Sequence, residues 1–146
     1  MALADDLKVV LADTFSFYLK AHNYHWNVEG PNFSDYHAFL GTLYADAWGA
    51  VDLIAEHIRT LDVYVPGSYT RFKELTNIEE EMKIPNASVM LSRLESDNRK
   101  VLESLNKARD AAETAGKRGI VNYLEERIDT HEKHGWMLRA ITKGRG

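Results

Sequence analysis

Four side chains within the first 56 residues combine the types and the spacing of metal ligands. His25 and His37 stand at the two ends of the stretch HWNVEGPNFSDYH, whose Gly-Pro pair marks a loop. Asp52 and Glu56 follow on a segment with helical spacing, so both carboxylates lie on one helix face and could hold a hard cation together. Imidazole and carboxylate together suit a redox-active first-row metal, iron above all, and zinc is compatible by ligand type.

Each pair taken alone has a structural explanation that is more common than metal binding. Acidic residues four apart usually form a solvated surface with a basic partner, here Arg59. Histidines beside a loop usually cap helix ends or form hydrogen bonds in the core. The occurrence of all four residues in one short segment is what favours a metal site.

A single straight helix does not let His37 and Asp52 share an ion. They are 15 residues apart (52 − 37), or about 22 Å along the axis, whereas two ligands of one ion lie only ~4 Å apart. A second, antiparallel copy of the helix, with a two-fold axis near 44–46, would bring His37 level with the other chain's Asp52 and Glu56. Small residues near that axis would allow a close approach: Gly41, Ala45, Ala47, Gly49 and Ala50.

The elements that position these residues follow from the few prolines and glycines, which divide the chain into long segments with helical apolar spacing. Four helices are predicted, over about 2–27, 34–62, 86–115 and 120–141. Ser34 is the expected N-cap of the second helix, and Asn86 or Ser88 that of the third. A short helix within YTRFKELT is expected in the long connection between them. This order is that of a ferritin-like four-helix bundle, so we predict one all-α domain over 1–146.

The sequence disfavours a di-metal site inside one bundle. Ferritin-like bundles usually hold such a site through Glu-x-x-His on each of two helices, and this sequence contains no Glu-x-x-His. The HEKH run at 131–134 lacks the i, i+4 histidines of a zinc-protease helix, so surface histidines near a helix C-terminus are predicted there. His22 is predicted to be a core or surface residue without a metal role.

The composition disfavours several classes of partner. The chain carries 18 Lys and Arg against 22 Asp and Glu, so no overall positive field attracts nucleic acid. The absence of cysteine excludes disulfides and thiolate zinc sites. The start MALADDL does not resemble a signal peptide, and no apolar stretch is long enough to cross a bilayer. A cytoplasmic protein without a membrane partner is therefore expected.

Three stretches together resemble the Dps family, the DNA-binding proteins from starved cells, which are also called mini-ferritins. HWNVEGPNFSDYH has His-Trp-Asn, Gly, Phe and a second His in the family's spacing, and DLIAEH matches its Asp-x-x-Ala-Glu pattern. The third stretch is EERIDTHEKHGWMLRA near the C-terminus. The resemblance covers nearly the whole chain, and the combination of motifs is highly specific.

The resemblance implies a ferroxidase that assembles from two-fold dimers into a hollow dodecamer. Ferrous iron would be oxidised at the dimer interfaces, preferably by hydrogen peroxide rather than dioxygen, and stored as ferric oxyhydroxide, which protects against oxidative stress. The implied iron ligands are His25 and His37 of one subunit with Asp52 and Glu56 of its mate. Trp26 would stand beside the metal and trap oxidising equivalents.

Three positions depart from the family pattern. Many members have an Asp four residues after the second His, where this chain has Gly41, so the second iron of a two-iron site is expected to bind weakly. The Arg that usually follows the Glu is His57, which either adds a ligand or, as we favour, replaces a salt-bridge donor. Where many members line an iron-entry pore with carboxylates, the chain reads GKRG, and the acidic residues that could serve instead are Glu113, Glu125 and Glu126.

Two further functions stay open on the sequence alone, and a third is disfavoured. The chain could form a shell that sequesters divalent metal without oxidising it, or a monomeric bundle with a surface acidic patch. DNA binding commonly relies on a lysine-rich tail. Here Asp5 and Asp6 lie near the N-terminus and the C-terminal TKGRG has two cations, so we expect no DNA binding at physiological salt.

Overall fold

A computed structural model describes residues 1–143, which form five α-helices and no strand. Their bounds are α1 Ala2–Asn27, α2 Phe33–Arg59, α3 Tyr69–Leu75, α4 Ala87–Thr114 and α5 Arg118–Lys143. Helix α1 packs against α2 and α4, and α4 packs against α5. The predicted all-α ferritin-like bundle, with a short helix in its crossover, is confirmed. None of the helices in this part of the chain combines the length and the apolarity needed to cross a membrane.

Local signals explain most helix ends, and one predicted cap is wrong. Asn86 caps α4 as predicted, because its side chain accepts a hydrogen bond from the Val89 N–H at 3.0 Å. Ser34 is not the cap of α2. That helix begins one residue earlier, after Asn32, because the turn at Gly30 already directs the Phe33 N–H to the Gly30 carbonyl. The C-terminal TKGRG, for which no DNA binding at physiological salt is predicted, includes residues 144–146, which lie outside the described residues.

The apolar stripes of the four long helices meet in one core. Its largest fully buried side chains come from α1, α2 and α4: Leu3, Leu7, Leu11, Phe17, Tyr24, Leu40, Leu43, Ile54, Ile58, Met90, Leu91 and Leu94. Each buried side chain of this size contributes about 1.5–3 kcal/mol relative to an exposed one. Burial on this scale fixes the relative position of α1 and α2, which carry the four candidate ligands.

Buried polar groups of α1 hold the long crossover. The Asp13 carboxylate accepts hydrogen bonds from the Thr76 hydroxyl and the Asn77 N–H, both at 2.7 Å. Lys20 donates to the Glu79 carbonyl and forms an ion pair with Asp97 of α4, each at 2.9 Å. A carboxylate that accepts two hydrogen bonds is well compensated when buried. The crossover is therefore bound to α1 along much of its length.

Candidate metal centre

His25 and His37 face each other where α1 ends and α2 begins. Their rings are stacked, with centroids 3.7 Å apart and planes at 19°. Nδ1 of His25 lies 2.7 Å from the His37 carbonyl oxygen, and Nδ1 of His37 lies 2.8 Å from the His25 carbonyl oxygen. The loop at 28–32 reverses the chain so that two residues 12 apart in sequence hold each other reciprocally.

These two hydrogen bonds fix the tautomer of both rings. A carbonyl oxygen only accepts, so each Nδ1 must carry the proton and donate it. In a neutral imidazole the other nitrogen, Nε2, then carries the lone pair. Metal-binding histidines are commonly oriented in this way by a backbone carbonyl. The pair therefore offers two neighbouring Nε2 atoms that are ready to bind a cation.

The two carboxylates lie elsewhere on the chain. Asp52 and Glu56 are exposed on α2, one turn apart, and 15 and 19 residues beyond His37. At about 1.5 Å per residue the nearer carboxylate is still about 22 Å away along the helix. Within residues 1–143, no three side chains of His, Cys, Asp or Glu are grouped closely enough to hold a metal ion. The chain by itself brings together half of the predicted ligand set.

Gly41 borders the histidine pair. A Cβ atom at this position would stand 3.2 Å from Cε1 and 3.4 Å from Nδ1 of His25. A side chain here would consequently project beside the imidazole ring. The position at which the sequence lacks a carboxylate is thus directly next to the candidate ligands.

Aromatic rings also lie beside the histidine pair. Trp26 is 60% exposed, and its ring lies on the imidazole of His22, with centroids 3.9 Å apart. His22 in turn stacks on Tyr44 at 3.7 Å, and Tyr44 lies 5.0 Å from His25. The half-buried His22 is therefore part of the surroundings of the site, although no motif in the sequence placed it there.

Comparison with known proteins agrees with this architecture. The family model described as a ferritin-like domain matches residues 4–144. The DNA protection during starvation protein of Brevibacillus brevis is 32% identical over 131 residues, which are 90% of this chain and 88% of that protein. The crystal structure of a Dps protein from Bacillus brevis has a TM-score of 0.92 and 31% identity, covering 97% of this chain and 95% of that one. The chain belongs to the Dps family.

A second solved Dps structure extends this likeness. The protein from Vibrio cholerae O1, described as a member of a broad superfamily of ferritin-like diiron-carboxylate proteins, has a TM-score of 0.92 and 28% identity. The alignment covers 97% of this chain and 89% of that one. Similarity over almost the full length of both chains means that the four helices and the crossover are shared.

The interior of this Dps bundle holds an ionic network. Arg127 of α5 donates two hydrogen bonds to the Asp46 carboxylate of α2, at 3.0 and 2.9 Å, and a third to Nε2 of His131 at 2.9 Å. Nδ1 of His131 donates to Asn98 of α4 at 2.8 Å, and Nε2 of His134 lies 2.8 Å from Asp46. These groups join three helices and satisfy one another, except that Nδ1 of His134 is buried without a hydrogen-bond partner among residues 1–143. Arg127 contributes a positive charge to the cluster, which opposes binding of a cation there.

The prediction that His131 and His134 lie on the surface is therefore wrong. Their exposed fractions are 0% and 5%. The physical reason is that 127, 131 and 134 fall on the same face of α5 as the buried Leu124 and Leu138. That register, together with a carboxylate in the buried face of α2, is the sequence signal from which a buried polar cluster could have been inferred.

Burial of His131 makes stability depend on pH. Burial, together with the neighbouring Arg127 guanidinium, holds the pKa of His131 well below its usual value of 6.5. The unfolded chain takes up a proton below that value and the folded chain does not, so stability is lost as the pH falls, by up to about 1.4 kcal/mol per pH unit. We expect urea unfolding of His131→Gln to depend less steeply on pH than that of the wild type between roughly pH 6.5 and 5. If the free energy of unfolding depended equally steeply on pH in the two proteins, His131 would not be the source of this pH dependence.

The remaining predicted residues lie apart from the histidine pair. His57 is half-buried against the Tyr123 ring of α5, with centroids 4.8 Å apart, and burial lowers its pKa. Arg109 forms ion pairs with Glu113 and Glu125, the latter at 3.1 Å. Two of the three acidic residues suggested for an iron-entry route are thus paired with a cation in the isolated chain.

Proposed function

We propose that this Dps-family chain oxidises ferrous iron at sites shared between two subunits and stores the ferric product inside a dodecameric shell. His25 and His37 of one subunit bind the iron together with Asp52 and Glu56 of its mate. Hydrogen peroxide is the preferred oxidant, with dioxygen as the alternative. The reaction removes both reactants of hydroxyl-radical chemistry and so protects the cytoplasm.

The observation that carries the proposal is the reciprocal hydrogen bonding of His25 and His37. Two imidazoles with both Nδ1–H groups donating to carbonyls present two lone pairs at one place, and within residues 1–143 no further metal-binding side chain completes that shell. Nitrogen ligands favour ferrous iron and carboxylate oxygens tolerate ferric iron. A mixed shell of this kind lets one site bind the substrate ion in both of its oxidation states.

The exposed face of α2 supports a second copy as the source of the carboxylates. Trp48 and Leu53 are about half exposed there, close to the proposed two-fold axis at 44–46. Large exposed apolar side chains of this kind are typical of an interface between chains. Antiparallel packing of two α2 helices would cover them and bring each His37 to the level of the opposite Asp52.

Iron oxidation in an assembled shell tests the proposal. Ferrous iron is added to the protein without oxygen, followed by peroxide, and ferric absorbance is recorded before sedimentation of the product. Oxidation faster than in buffer, with the iron sedimenting with a twelve-subunit particle, is the expected result. An assembled particle that binds iron and does not accelerate its oxidation would instead support the sequestering shell. A protein that stays monomeric would contradict both the oxidising and the sequestering shell.

Restoring the missing carboxylate should strengthen the second iron position. In Gly41→Asp the new carboxylate projects beside the His25 ring, which must shift slightly because the Cβ would otherwise stand 3.2 Å from it. We expect the second ferrous ion per site to bind roughly 10-fold tighter or more, as measured by anaerobic calorimetry. Gly41→Asn is the control, since it has nearly the same shape and a neutral amide. Equal binding in both variants would argue against a second iron at this position.

A further inference from the structure

A continuous series of rings leads from the histidine pair along the contact between α1 and α2. The ring centroids of Tyr44 and His25 are 5.0 Å apart. Tyr44 also stacks face to face on His22, with ring centroids 3.7 Å apart and planes at 5°. The ring centroids of His22 and Tyr18 are 5.5 Å apart, and those of Tyr18 and Trp48 are 5.0 Å apart. Each ring touches the next, so an electron can move along the series in short steps.

Tyr18 differs from the other rings in having a proton acceptor. Its hydroxyl lies 3.0 Å from Nδ1 of His22. A phenol is oxidised at neutral pH only if its proton leaves with the electron, because the oxidised phenol that still holds its proton is a very strong acid. When His22 carries its own proton on Nε2, its Nδ1 accepts the hydrogen bond and can receive that proton. Tyr18 is half-buried, unlike the exposed Trp26, so a radical formed there is better shielded from solvent.

The proposed reaction needs an electron donor besides a single iron. Reduction of hydrogen peroxide to water consumes two electrons, and one ferrous ion supplies one. A second iron would supply the other, but Gly41 leaves its position without a carboxylate. With one iron bound, peroxide would be cut to hydroxide and a hydroxyl radical unless the protein provides an electron.

We propose that Tyr18, hydrogen-bonded to His22, donates the second electron when a site holds a single ferrous ion. One ferrous ion and the Tyr18 phenol each lose one electron, and the O–O bond of peroxide breaks. The two oxygen atoms take up two protons from solvent and leave as two water molecules. The phenolic proton moves to Nδ1 of His22, and Tyr18 remains as a neutral phenoxyl radical. This assignment rests on the proposed iron oxidation.

Paramagnetic resonance of freeze-quenched samples tests the assignment. Wild type, Tyr18→Phe and His22→Phe receive one ferrous ion per subunit without oxygen, then peroxide. Tyr69→Phe is the matched control, because it removes the hydroxyl of an exposed tyrosine on α3. We expect the signal of a tyrosyl radical in wild type and in the control. This signal should become narrower when the protein contains ring-deuterated tyrosine. Tyr18→Phe should lose nearly all of this signal, and His22→Phe, which keeps a stacked ring without an acceptor, should lose most of it.

Two further readings separate this proposal from the proposed function. In Tyr18→Phe we expect more hydroxyl-radical spin adduct than in wild type. Without the spin trap we expect less peroxide consumed per iron oxidised, because the hydroxyl radical then oxidises a second ferrous ion and is reduced to hydroxide. The same tyrosyl signal in wild type and Tyr18→Phe, or a tryptophan radical in every sample, would overturn the Tyr18 assignment and leave iron oxidation standing. Oxidation in wild type no faster than in buffer would overturn both.

Discussion

Replacing Asp52 and Glu56 together by alanine should abolish catalysed iron oxidation while leaving the shell assembled. Both side chains are exposed in the isolated chain, so their loss removes no core packing. Loss of two ligands leaves two imidazoles, which are too few to hold ferric iron, and we expect the rate to fall by on the order of 100-fold or more. The measurement is ferric absorbance after peroxide addition, on particles whose size has been checked by sedimentation.

A matched control removes the same charge elsewhere. Asp129→Ala/Glu132→Ala deletes two exposed carboxylates from α5 and should oxidise iron at the wild-type rate. Equal rates in Asp52→Ala/Glu56→Ala and wild type would refute the proposed ligands.

Co-assembly of two inactive variants would show whether the site is shared. His25→Ala/His37→Ala lacks the imidazoles, and Asp52→Ala/Glu56→Ala lacks the carboxylates. In a mixed two-fold dimer one site loses all four ligands and the other keeps all four. Random pairing should therefore restore about a quarter of the wild-type sites. A site confined to one chain would regain no activity in the mixture.

The second large effect is expected on stability, from breaking the buried network at Asp46. The Arg127 side chain is only 10% exposed, and it donates two hydrogen bonds to the Asp46 carboxylate. Asp46→Ala leaves that guanidinium buried without its counter-charge, and we expect a loss of about 3 kcal/mol in the free energy of unfolding. Burial by itself would raise the pKa of Asp46, but the hydrogen bonds from His134 and Arg127 outweigh it and hold that pKa far below its usual range. The contribution of the carboxylate should therefore persist until strongly acidic pH, where the folded protein finally takes up the proton.

A double replacement distinguishes an unpaired charge from lost packing. Asp46→Leu/Arg127→Met removes both charges and keeps apolar volume, so it should recover much of the stability lost in Asp46→Ala. Asp5→Ala, at an exposed position, should change the free energy of unfolding by less than about 0.5 kcal/mol. Urea unfolding of all variants is compared at one protein concentration, because assembly adds to apparent stability. An unchanged midpoint for Asp46→Ala would show that the network contributes no net stability.

Local sequence patterns are sufficient to predict the helices and to select His25 and His37, which the fold brings together. Apolar residues at three- and four-residue spacing place each long helix within a few residues of its observed ends, because the period depends only on neighbours along one helix. The loop between α1 and α2 is short, so a local pattern also suffices to pair His25 with His37. The distance along α2 from His37 to Asp52 likewise follows from helix geometry alone, and that distance is too long for the two residues to share an ion within one chain.

The surroundings of those residues depend instead on packing between helices. The reciprocal Nδ1 hydrogen bonds depend on how α1 crosses α2, and the contact of Asp46 with Arg127 joins residues 81 apart in sequence. A buried polar residue can share the buried face of its helix and still be taken for a surface residue, because its partners lie on other helices and no local period identifies those partners. The surface prediction for His131 and His134 fails for that reason, and Tyr18 is a redox candidate only because folding places its hydroxyl beside His22.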